Sequence, residues 1–401
     1  MSWQYRRLGE VLDVQNGYAF NSKLFAANGE IGLIRIRDIR QGTDTDTRYT
    51  GEYDPKYVVH SGDFLIGMDG DFSCYEWRGK PSLLNQRVCR LQDFSEMLLP
   101  KFLFYGINKY LKEIEDTTAF TTVKHISSKQ IKDILFPVPP ISEQKRIVEI
   151  LDEAFEGIDA AIANTEKNLA NTRELFKGYV EGLFVSGKTN WTDVKLGEVA
   201  EFKNGLNFTK SSKGEIIKIV GVGDFKDNLW VPTNALTEVQ IDHELSASYL
   251  LKEGDILTVR SNGNKQLIGR CLLSGPVPEH TSHSGFTIRI RILSKEILPE
   301  YLVRYLKSGR SRRRLVESGD GANISSLNQQ ALAALPVLLP SLAEQKVLVQ
   351  KIDEVDASSV HLAEIYQRKI NTLNELKRSI LQKAFRGELT SSDKSLVEVA
   401  A

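Results

Sequence analysis

The sequence repeats itself once, and this internal duplication constrains the fold more than any other feature. Seven short motifs of the first half return in the same order, at offsets that drift from 188 to about 200 residues. The pairs are Leu8-Gly9-Glu10-Val11 and Leu196-Gly197-Glu198-Val199, Asn16-Gly17 and Asn204-Gly205, Gly62-Asp63 and Gly254-Asp255, Leu99-Pro100 and Leu298-Pro299, Ile126-Ser127-Ser128 and Ile324-Ser325-Ser326, Glu143-Gln144-Lys145 and Glu344-Gln345-Lys346, and Phe184-Val185-Ser186-Gly187 and Phe385-Arg386-Gly387. A solenoid needs at least three short repeats, so a period near half of 401 residues predicts two copies of one unit.

Each copy is predicted to begin with a globular part of mixed helix and strand, which makes the fold class α+β. Residues 31–37 and 286–292 alternate apolar and polar side chains with period two, which is typical of strands. Residues 100–115 and 299–314 are predicted to form short helices. Proline-rich edges at 137–140 and 335–340 close the two globular parts.

A long helix is predicted after each proline-rich edge, with Ser142 and the Ser341/Glu344 capping box at the two starts. About 40 residues at about 1.5 Å each give roughly 60 Å, which is too long for one small domain. An apolar seam with spacings of three and four needs a partner helix, and the other copy is the economical choice. We therefore expect an antiparallel coiled coil, with two α/β domains in a pseudo-two-fold arrangement set apart by it. The seam residues are Ile147, Leu151, Ala154, Ile158, Ala161, Thr165, Leu169, Thr172, Phe176, Tyr179 and Leu183, and Leu348, Ile352, Val355, Leu362, Tyr366, Ile370, Leu373, Leu376, Ile380 and Ala384.

The predicted boundaries follow from these segments. A first globular domain spans residues 1–141, a first long helix with its linker 142–193, a second globular domain 194–341, a second long helix 342–390, and a tail 391–401.

Composition restricts the class of function. Fifty-two basic and 52 acidic residues give zero net charge, which excludes nucleic-acid binding by bulk positive charge alone. Segment 141–193 holds six basic and ten acidic residues, so the globular parts are the better candidates for a polyanion surface. Three scattered cysteines argue against a disulfide framework and a zinc ribbon. A soluble, cytoplasmic protein without a membrane segment is expected.

Catalytic motifs are scarce in this sequence. It has no glycine-rich phosphate loop, no dinucleotide fingerprint and no amino-methyltransferase tetrapeptide. His280 and His283 allow a metal pair, but a solvated loop explains them as well. Glu143-Gln144-Lys145 and its repeat resemble the end of a nuclease motif, although an acid on the first turn of a helix also favours the helix dipole. The sequence therefore favours a binding protein that is not an enzyme and carries no metal.

Polar and basic side chains beside glycines in several loops suit DNA. Arg and Lys can bind guanine O6 and N7, Asn and Gln can bind adenine N6 and N7, and Ser suits phosphates. Ordinary polar turns are the alternative interpretation of each. The candidates are Arg35, Arg37, Arg78, Lys80, Asn85, Gln86, Arg87, Lys124 and His125 in the first copy, and Arg260, Ser261, Asn262, Asn264, Lys265, Arg312 and Asn323 in the second. The loops after Gly62-Asp63 and Gly254-Asp255 differ almost completely, as two half-sites of different sequence would require.

The duplicated Pro-x(2–3)-Glu-Gln-Lys element before a long helix, the Leu-Gly-Glu start and the Gly-Asp-x-Leu strand resemble the specificity (S, HsdS) subunit of type I restriction–modification systems. The resemblance covers essentially the whole chain. It implies two target recognition domains, each specific for one half of an asymmetric bipartite DNA target, with two helices that set the spacer. Arg35 and Arg37 align with Gly221 and Gly223, so a contact common to both halves is not expected there.

The resemblance also implies partners. Two methyltransferase subunits would bring S-adenosylmethionine and the adenine-methylating site, and restriction subunits would bring ATP and Mg, with no cofactor on this chain. As a hypothesis, the long helices dock the methyltransferase subunits through faces that bear Glu149, Glu153, Glu156, Arg173 and Lys177. The alternatives are a recognition module of another restriction, modification or phage-defence system, and a scaffold that binds proteins instead of DNA.

Overall fold

The computed structural model describes residues 3–117, 124–185, 190–226, 228–317 and 326–390. The chain forms two compact units. Unit 1 comprises residues 1–164 and 369–401, and unit 2 comprises residues 165–368. Each unit therefore contains one globular domain together with part of each long helix.

The elements of the first copy follow one another as short strands, two helices, one more strand and a long helix. They are β1 (Gln4–Arg7), β2 (Asp13–Asn16), β3 (Phe25–Ala26), β4 (Ile31–Ile34), β5 (Arg48–Tyr49), β6 (Val58–Val59), β7 (Phe64–Gly67), β8 (Cys74–Glu76), β9 (Ser82–Leu84), β10 (Val88–Gln92), α1 (Pro100–Thr117), α2 (Ser128–Lys132), β11 (Leu135–Val138) and α3 (Ile141–Val185).

The second copy has the same order with small differences. Its elements are β12 (Thr192–Lys195), α4 (Leu196–Val199), β13 (Ala200–Asn204), β14 (Ile216–Val220), β15 (Thr237–Gln240), β16 (Ile256–Val259), β17 (Cys271–Leu273), β18 (Thr281–His283), β19 (Thr287–Ile292), α5 (Pro299–Lys307), α6 (Gly309–Glu317), α7 (Gln329–Ala333), β20 (Pro336–Leu339) and α8 (Leu342–Ala384). Among the described residues, no helix is both long and apolar enough to cross a membrane.

The sheets show that the duplicated sequence folds twice into one topology. A four-stranded sheet has the order β2-β10-β7-β8 in unit 1 and β13-β19-β16-β17 in unit 2. A second sheet is built on a parallel pair, β4 with β9 or β14 with β18, and a two-stranded sheet joins β1 to β11 or β12 to β20. The α+β fold class predicted from the sequence is confirmed.

The long helices pair antiparallel within unit 1. Thr390 Oγ1, just beyond α8, donates a hydrogen bond of 2.9 Å to Glu143 at the start of α3, whereas Lys377 Nζ lies 2.6 Å from Asp159 further along α3. From the first contact to the second, residue numbers increase along α3 and decrease along α8, so the two helices run in opposite directions. Phe155, Ile158 and Ile162 of α3 share the hydrophobic core of unit 1 with residues of α8 and with Phe385 beyond its end. In unit 2 the other parts of the helices share a second core, with Val180 and Phe184 of α3 and Leu348 and Ile352 of α8.

The repeated glutamine of each Glu-Gln-Lys element fastens the start of a long helix to its globular domain. Gln144 is fully buried, donates to the carbonyls of Met97 and Pro139 at 2.7 Å each, and accepts from the Leu99 amide at 2.8 Å. Gln345 makes the same three bonds at the start of the second long helix. The motif is thus a structural clamp, since its central side chain is enclosed and fully hydrogen-bonded.

The repeated Gly-Asp pair has an equally structural role. Gly62 and Gly254 adopt φ values of +96° and +83°, a region that glycine enters without strain. The carboxylate of Asp63 pairs with Arg90 at 3.0 Å, and that of Asp255 binds Arg291 through two nitrogens at 2.7 Å. Both pairs connect the turn to an inner strand of the four-stranded sheet, β10 or β19, so the duplicated motif has the same structural role in each unit.

Several predictions from the sequence are wrong in detail. The strand predicted over 31–37 ends at Ile34, because residues 36–41 form turns. The helix predicted over 299–314 is broken at Ser308, whose ψ of 150° is extended and whose hydroxyl donates to the Tyr305 carbonyl. Helix α3 begins at Ile141, so Ser142 lies inside its first turn. Tyr179, Leu362 and Leu376 are exposed and lie outside the buried seam, since the helices contact each other over narrower faces than the apolar pattern suggests.

Candidate nucleic-acid interface

Four loops of unit 1 lie together at one end of the four-stranded sheet, where strands β2, β7 and β10 begin or end. In the antiparallel register Asn16 at the end of β2 faces Cys89, and Gly67 at the end of β7 faces Val88 at the start of β10. We call the loops at this place, residues 16–18, 68–70, 85–87 and 124–126, loop edge 1. Backbone bonds join them: Met68 N donates to Arg87 O at 3.0 Å, Ile126 N to Met68 O at 2.9 Å, and Tyr18 N to Leu84 O at 2.9 Å.

Asp69 organises the charged side chains of loop edge 1. Its carboxylate lies 3.0 Å from Arg87 Nη1 and 2.7 Å from His125 Nδ1. Gln86 is exposed beside them, and Asn85 accepts the Gln86 amide with its side-chain oxygen at 2.9 Å. Four of the predicted residues, Asn85, Gln86, Arg87 and His125, therefore meet at one place.

Lys124 lies next to His125 but points elsewhere. Its side chain is only 20% exposed, and Nζ donates to the Glu115 carbonyl at 2.7 Å. The lysine thus ties its loop to the end of α1, which makes it a weaker candidate for a DNA contact than its neighbours.

The other predicted residues of unit 1 belong to two further turns. Arg35 and Arg37 occupy the turn after β4, which packs against Gly67 through Ile36 and Ile39. Arg78 and Lys80 follow β8, and since Phe64 faces Glu76 across the sheet, they lie at the opposite end of β7. Arg78 holds the Glu76 carboxylate with two nitrogens at 2.9 and 3.0 Å.

The corresponding loops of unit 2 have the same backbone bonds. We call residues 204–207, 260–262, 284–286 and 326–327 loop edge 2. Arg260 N donates to Phe286 O at 2.8 Å, Leu327 N to Arg260 O at 2.8 Å, and Leu206 N to His283 O at 2.8 Å. The bridge between Asp69 and His125 in unit 1 corresponds to one between Ser261 and Ser326 in unit 2.

The side chains at loop edge 2 are unlike those at loop edge 1. Arg260 is half-buried, and its Nη1 reaches the Gly285 carbonyl at 3.4 Å. Ser261 and Asn262 follow it, and the Asn262 side chain accepts the Asn264 amide at 2.8 Å. Asn264 caps a 3-10 turn that contains Lys265, whose side chain is exposed. One contiguous loop therefore carries five of the predicted residues.

Arg312 turns inward instead of toward this loop edge. It donates to the Gln266 carbonyl and lines a cavity of about 860 Å³ together with Arg173 and Asp356 of the long helices. Burial lowers the pKa of its guanidinium and raises the pKa of the Asp356 carboxyl. The predicted contact at Asn323 lies outside the described residues.

Tyr18 and Phe286 are exposed at the loop edges, and neither is among the candidates from the sequence. The Tyr18 side chain is 52% exposed and that of Phe286 62% exposed. The sequence pattern places Phe286 first in an alternating strand, whereas β19 begins one residue later at Thr287. The alignment of Phe286 with Arg87 is the signal in the sequence that could have found it.

The two histidines considered as a metal pair have separate environments. His280 is exposed and bonds to Glu215, whereas His283 is fully buried in β18 and bonds to Thr287 at 2.9 Å. Burial and the charges of Arg289 and Lys203 lower the pKa of His283 to about 3, so it is neutral. The solvated-loop interpretation is therefore wrong for His283.

Comparison with known families matches both copies. The family model of the type I restriction modification DNA specificity domain matches residues 1–170 and 188–374. This chain belongs to that family. The resemblance inferred from the duplicated motifs is confirmed, and the two matched segments each contain one of the loop edges.

Relatives of this type I specificity family member cover most of the chain. The type I restriction enzyme EcoBI specificity subunit of Escherichia coli is 30% identical over 425 residues, which cover 97% of this chain and 87% of that protein. The StySPI specificity subunit of Salmonella potsdam is 28% identical over 298 residues, which cover 70% and 63%.

Solved structures of the same kind share the fold. A chain described under "Structural basis underlying complex assembly and conformational transition of the type I R-M system" has a TM-score of 0.75 at 19% identity, covering 96% of this chain and 98% of that one. The HsdS subunit from Thermoanaerobacter tengcongensis has a TM-score of 0.54 at 18% identity, covering 96% and 97%.

Proposed function

We propose that this chain is the DNA sequence-specificity subunit of a type I restriction–modification complex. Loop edge 1 recognises one half of an asymmetric, bipartite DNA target, and loop edge 2 recognises the other half. The chain itself performs no chemistry. Methyltransferase subunits supply S-adenosylmethionine and the adenine-methylating site, and restriction subunits supply ATP- and Mg-dependent cleavage.

The observation that carries this proposal is one backbone scaffold with two different sets of side chains. Corresponding amide-to-carbonyl bonds hold the loops in both units, yet Asp69, Arg87 and His125 are replaced by Ser261, Phe286 and Ser326. Because base edges are distinguished by their hydrogen-bonding and methyl groups, different side chains on one scaffold suit different half-site sequences.

Exposed apolar side chains on the long helices support docking of the methyltransferase subunits there. In unit 2 Leu175 is 74% exposed, Val360 53% and Ile365 41%. In unit 1 Glu149, Glu153 and Glu156 are exposed on α3. Where such side chains form a contiguous patch, a protein partner typically covers it.

The first experiment maps DNA methylation in the host with and without the gene for this chain. We expect one bipartite motif with methylated adenines that disappears with the gene and returns on complementation. An unchanged methylome, together with a reconstituted complex that binds all duplexes equally, would refute the proposal.

Single substitutions then assign each half-site to a loop edge. In the complex with methyltransferase subunits, Gln86→Ala should weaken binding to one half-site and Arg260→Ala to the other, by about 1–3 kcal/mol per lost base contact. Lys295→Ala is the matched control, since this exposed lysine lies beyond the far end of β19. An equal loss on cognate and random duplexes would identify a phosphate contact instead of base recognition.

The spacer and docking roles of the helices have separate tests. Adding one helical turn to both α3 and α8 should lengthen the spacer and leave the half-site sequences unchanged. An unchanged spacer would show that the helices do not set its length.

Charge reversal at Glu149, Glu153 and Glu156 should impair complex formation in size-exclusion chromatography. Unimpaired assembly would show that these residues are not part of the docking surface.

A further inference from the structure

We propose that Phe286 is a specificity residue that contacts the methyl group of one thymine in the half-site recognised by loop edge 2. This inference rests on the proposed function and adds a base type to it. A single exposed apolar side chain is ordinary on a protein surface, so the position of this one is what distinguishes it.

Phe286 occupies the position in unit 2 that Arg87 occupies in unit 1. The carbonyl of each accepts the amide of the first residue after β7 or β16, which is Met68 in one unit and Arg260 in the other. Arg87 belongs to the charged group around Asp69, at the place where the four loops of its unit meet. The duplication therefore puts Phe286 at the corresponding position of loop edge 2.

Hydrogen bonds fix the backbone that carries the ring. Phe286 N donates to Ser284 Oγ at 3.1 Å, and its carbonyl accepts from Arg260 N at 2.8 Å and from Ser261 N at 3.3 Å. The neighbours on both sides in the chain are buried or backbone-bonded: Thr287 is fully buried, and Gly285 N donates to Leu206 O at 2.7 Å. Because the backbone is already fixed, only the two side-chain torsions of the exposed ring need ordering when a ligand binds, which favours recognition.

The surroundings of the ring suit a base edge in the major groove. A Cβ on Gly285 would lie 2.1 Å from Asn207 Oδ1, so the asparagine amide fills the space beside Gly285, the residue before Phe286. The Arg260 guanidinium bonds to the Gly285 carbonyl on the same loop edge. Amide and guanidinium groups bind adenine and guanine edges, whereas phenylalanine is one of the side chains that contact the thymine methyl.

The alternative interpretation is a contact with a protein partner. Among the described residues, the other apolar side chains of unit 2 that are more than half exposed lie elsewhere: Leu293 follows the far end of β19, Ile216 begins β14, and Leu175 and Val360 are on the long helices. Phe286 is surrounded by loops with polar side chains, as expected where the ligand is DNA and not an apolar protein face.

The test uses the reconstituted complex with methyltransferase subunits and duplexes that carry the mapped motif. In the half-site weakened by Arg260→Ala, each thymine is replaced in turn by 2′-deoxyuridine, which removes only the methyl group. One replacement should weaken wild-type binding about fourfold, as expected for loss of one buried methyl. With Phe286→Ala the same two duplexes should bind equally, and with Leu293→Ala the fourfold difference should persist.

Four results would overturn the inference. One is a wild-type complex that tolerates every deoxyuridine, and another is a half-site without an A·T pair. A third is a fourfold effect that survives in Phe286→Ala. The fourth is loss of complex assembly by Phe286→Ala in size-exclusion chromatography, which would make the ring a protein contact. If instead the wild-type complex does not distinguish cognate from random duplexes, the proposed function itself fails.

Discussion

The glutamine clamp gives the sharpest test of how the long helices are fixed to the domains. Gln345 is fully buried, its Nε2 donates to the carbonyls of Glu296 and Pro340 at 2.7 and 2.9 Å, and its Oε1 accepts the Leu298 amide at 2.8 Å. The substitution Gln345→Glu keeps the size and the acceptor but replaces the two-proton donor. We expect it to destabilise unit 2 strongly and in a pH-dependent way.

The magnitude follows from the three bonds. When the introduced carboxyl is ionised, it keeps the bond to the Leu298 amide and leaves two buried carbonyls without donors, at about 1–3 kcal/mol each, or about 4 kcal/mol together. A protonated carboxyl still donates to one carbonyl, so the loss falls to about 2 kcal/mol. The folded state therefore raises the pKa of the new carboxyl. Stability is highest below its unfolded pKa of about 4.3 and is lost as pH rises through the folded value.

Urea unfolding of the full chain, measured at pH 7 and at pH 4.5, provides the assay. The free energy of unfolding of Gln345→Glu should fall about 4 kcal/mol below wild type at pH 7, and the gap should narrow at pH 4.5. Gln350→Glu is the matched control, because Gln350 is exposed on the same helix and its side chain bonds to Glu354 one turn away, so about 0.5 kcal/mol or less is expected. A stability of Gln345→Glu equal to that of the control at pH 7 would refute the clamp.

Three further outcomes are expected for unit 2. Because the pKa of buried His283 is lowered to about 3, its contribution to stability is complete above a pH of about 6.5 and is lost as pH falls. The loss by pH 5 is about 2 kcal/mol, and the substitution His283→Asn should flatten that pH dependence in thermal or urea unfolding. Asp255→Ala leaves the largely buried Arg291 without its carboxylate partner and should cost about 3–5 kcal/mol by urea unfolding, whereas a loss under about 1 kcal/mol would show that the pair is dispensable. Gly205→Ala places a Cβ 2.2 Å from Ser284 O and should lower the free energy of unfolding by about 3 kcal/mol. Gly182→Ala, on an exposed helix face, should instead raise it by about 0.5–1 kcal/mol, and equal effects of the two substitutions would contradict the close approach of Gly205 to the Ser284 backbone.

The candidate site shows where sequence reasoning stops. Asn85, Gln86 and Arg87 are recognisable as polar residues beside a turn, and the structure brings them to Asp69 and His125. The register of β2, β7 and β10 decides which candidates lie close together. These strands pair segments that are about 20–75 residues apart in the sequence. Local composition carries no information about that pairing, so Lys124 and Arg312 look as suitable as Gln86 in the sequence although both side chains turn inward.

The sequence by itself determined that the chain contains two copies of one α+β unit, each followed by a long helix, and these helices have 45 and 43 residues. These features are local or repetitive, since apolar spacing, proline edges and duplicated motifs are legible along the chain. Only the tertiary structure decided that the repeated glutamine is a buried clamp, that the repeated aspartate pairs with an arginine of an inner strand, and that the Phe286 side chain is exposed at loop edge 2. The burial of a side chain and its hydrogen-bond or ion-pair partners depend on tertiary packing. They are set only when strands that are distant in sequence pair with each other.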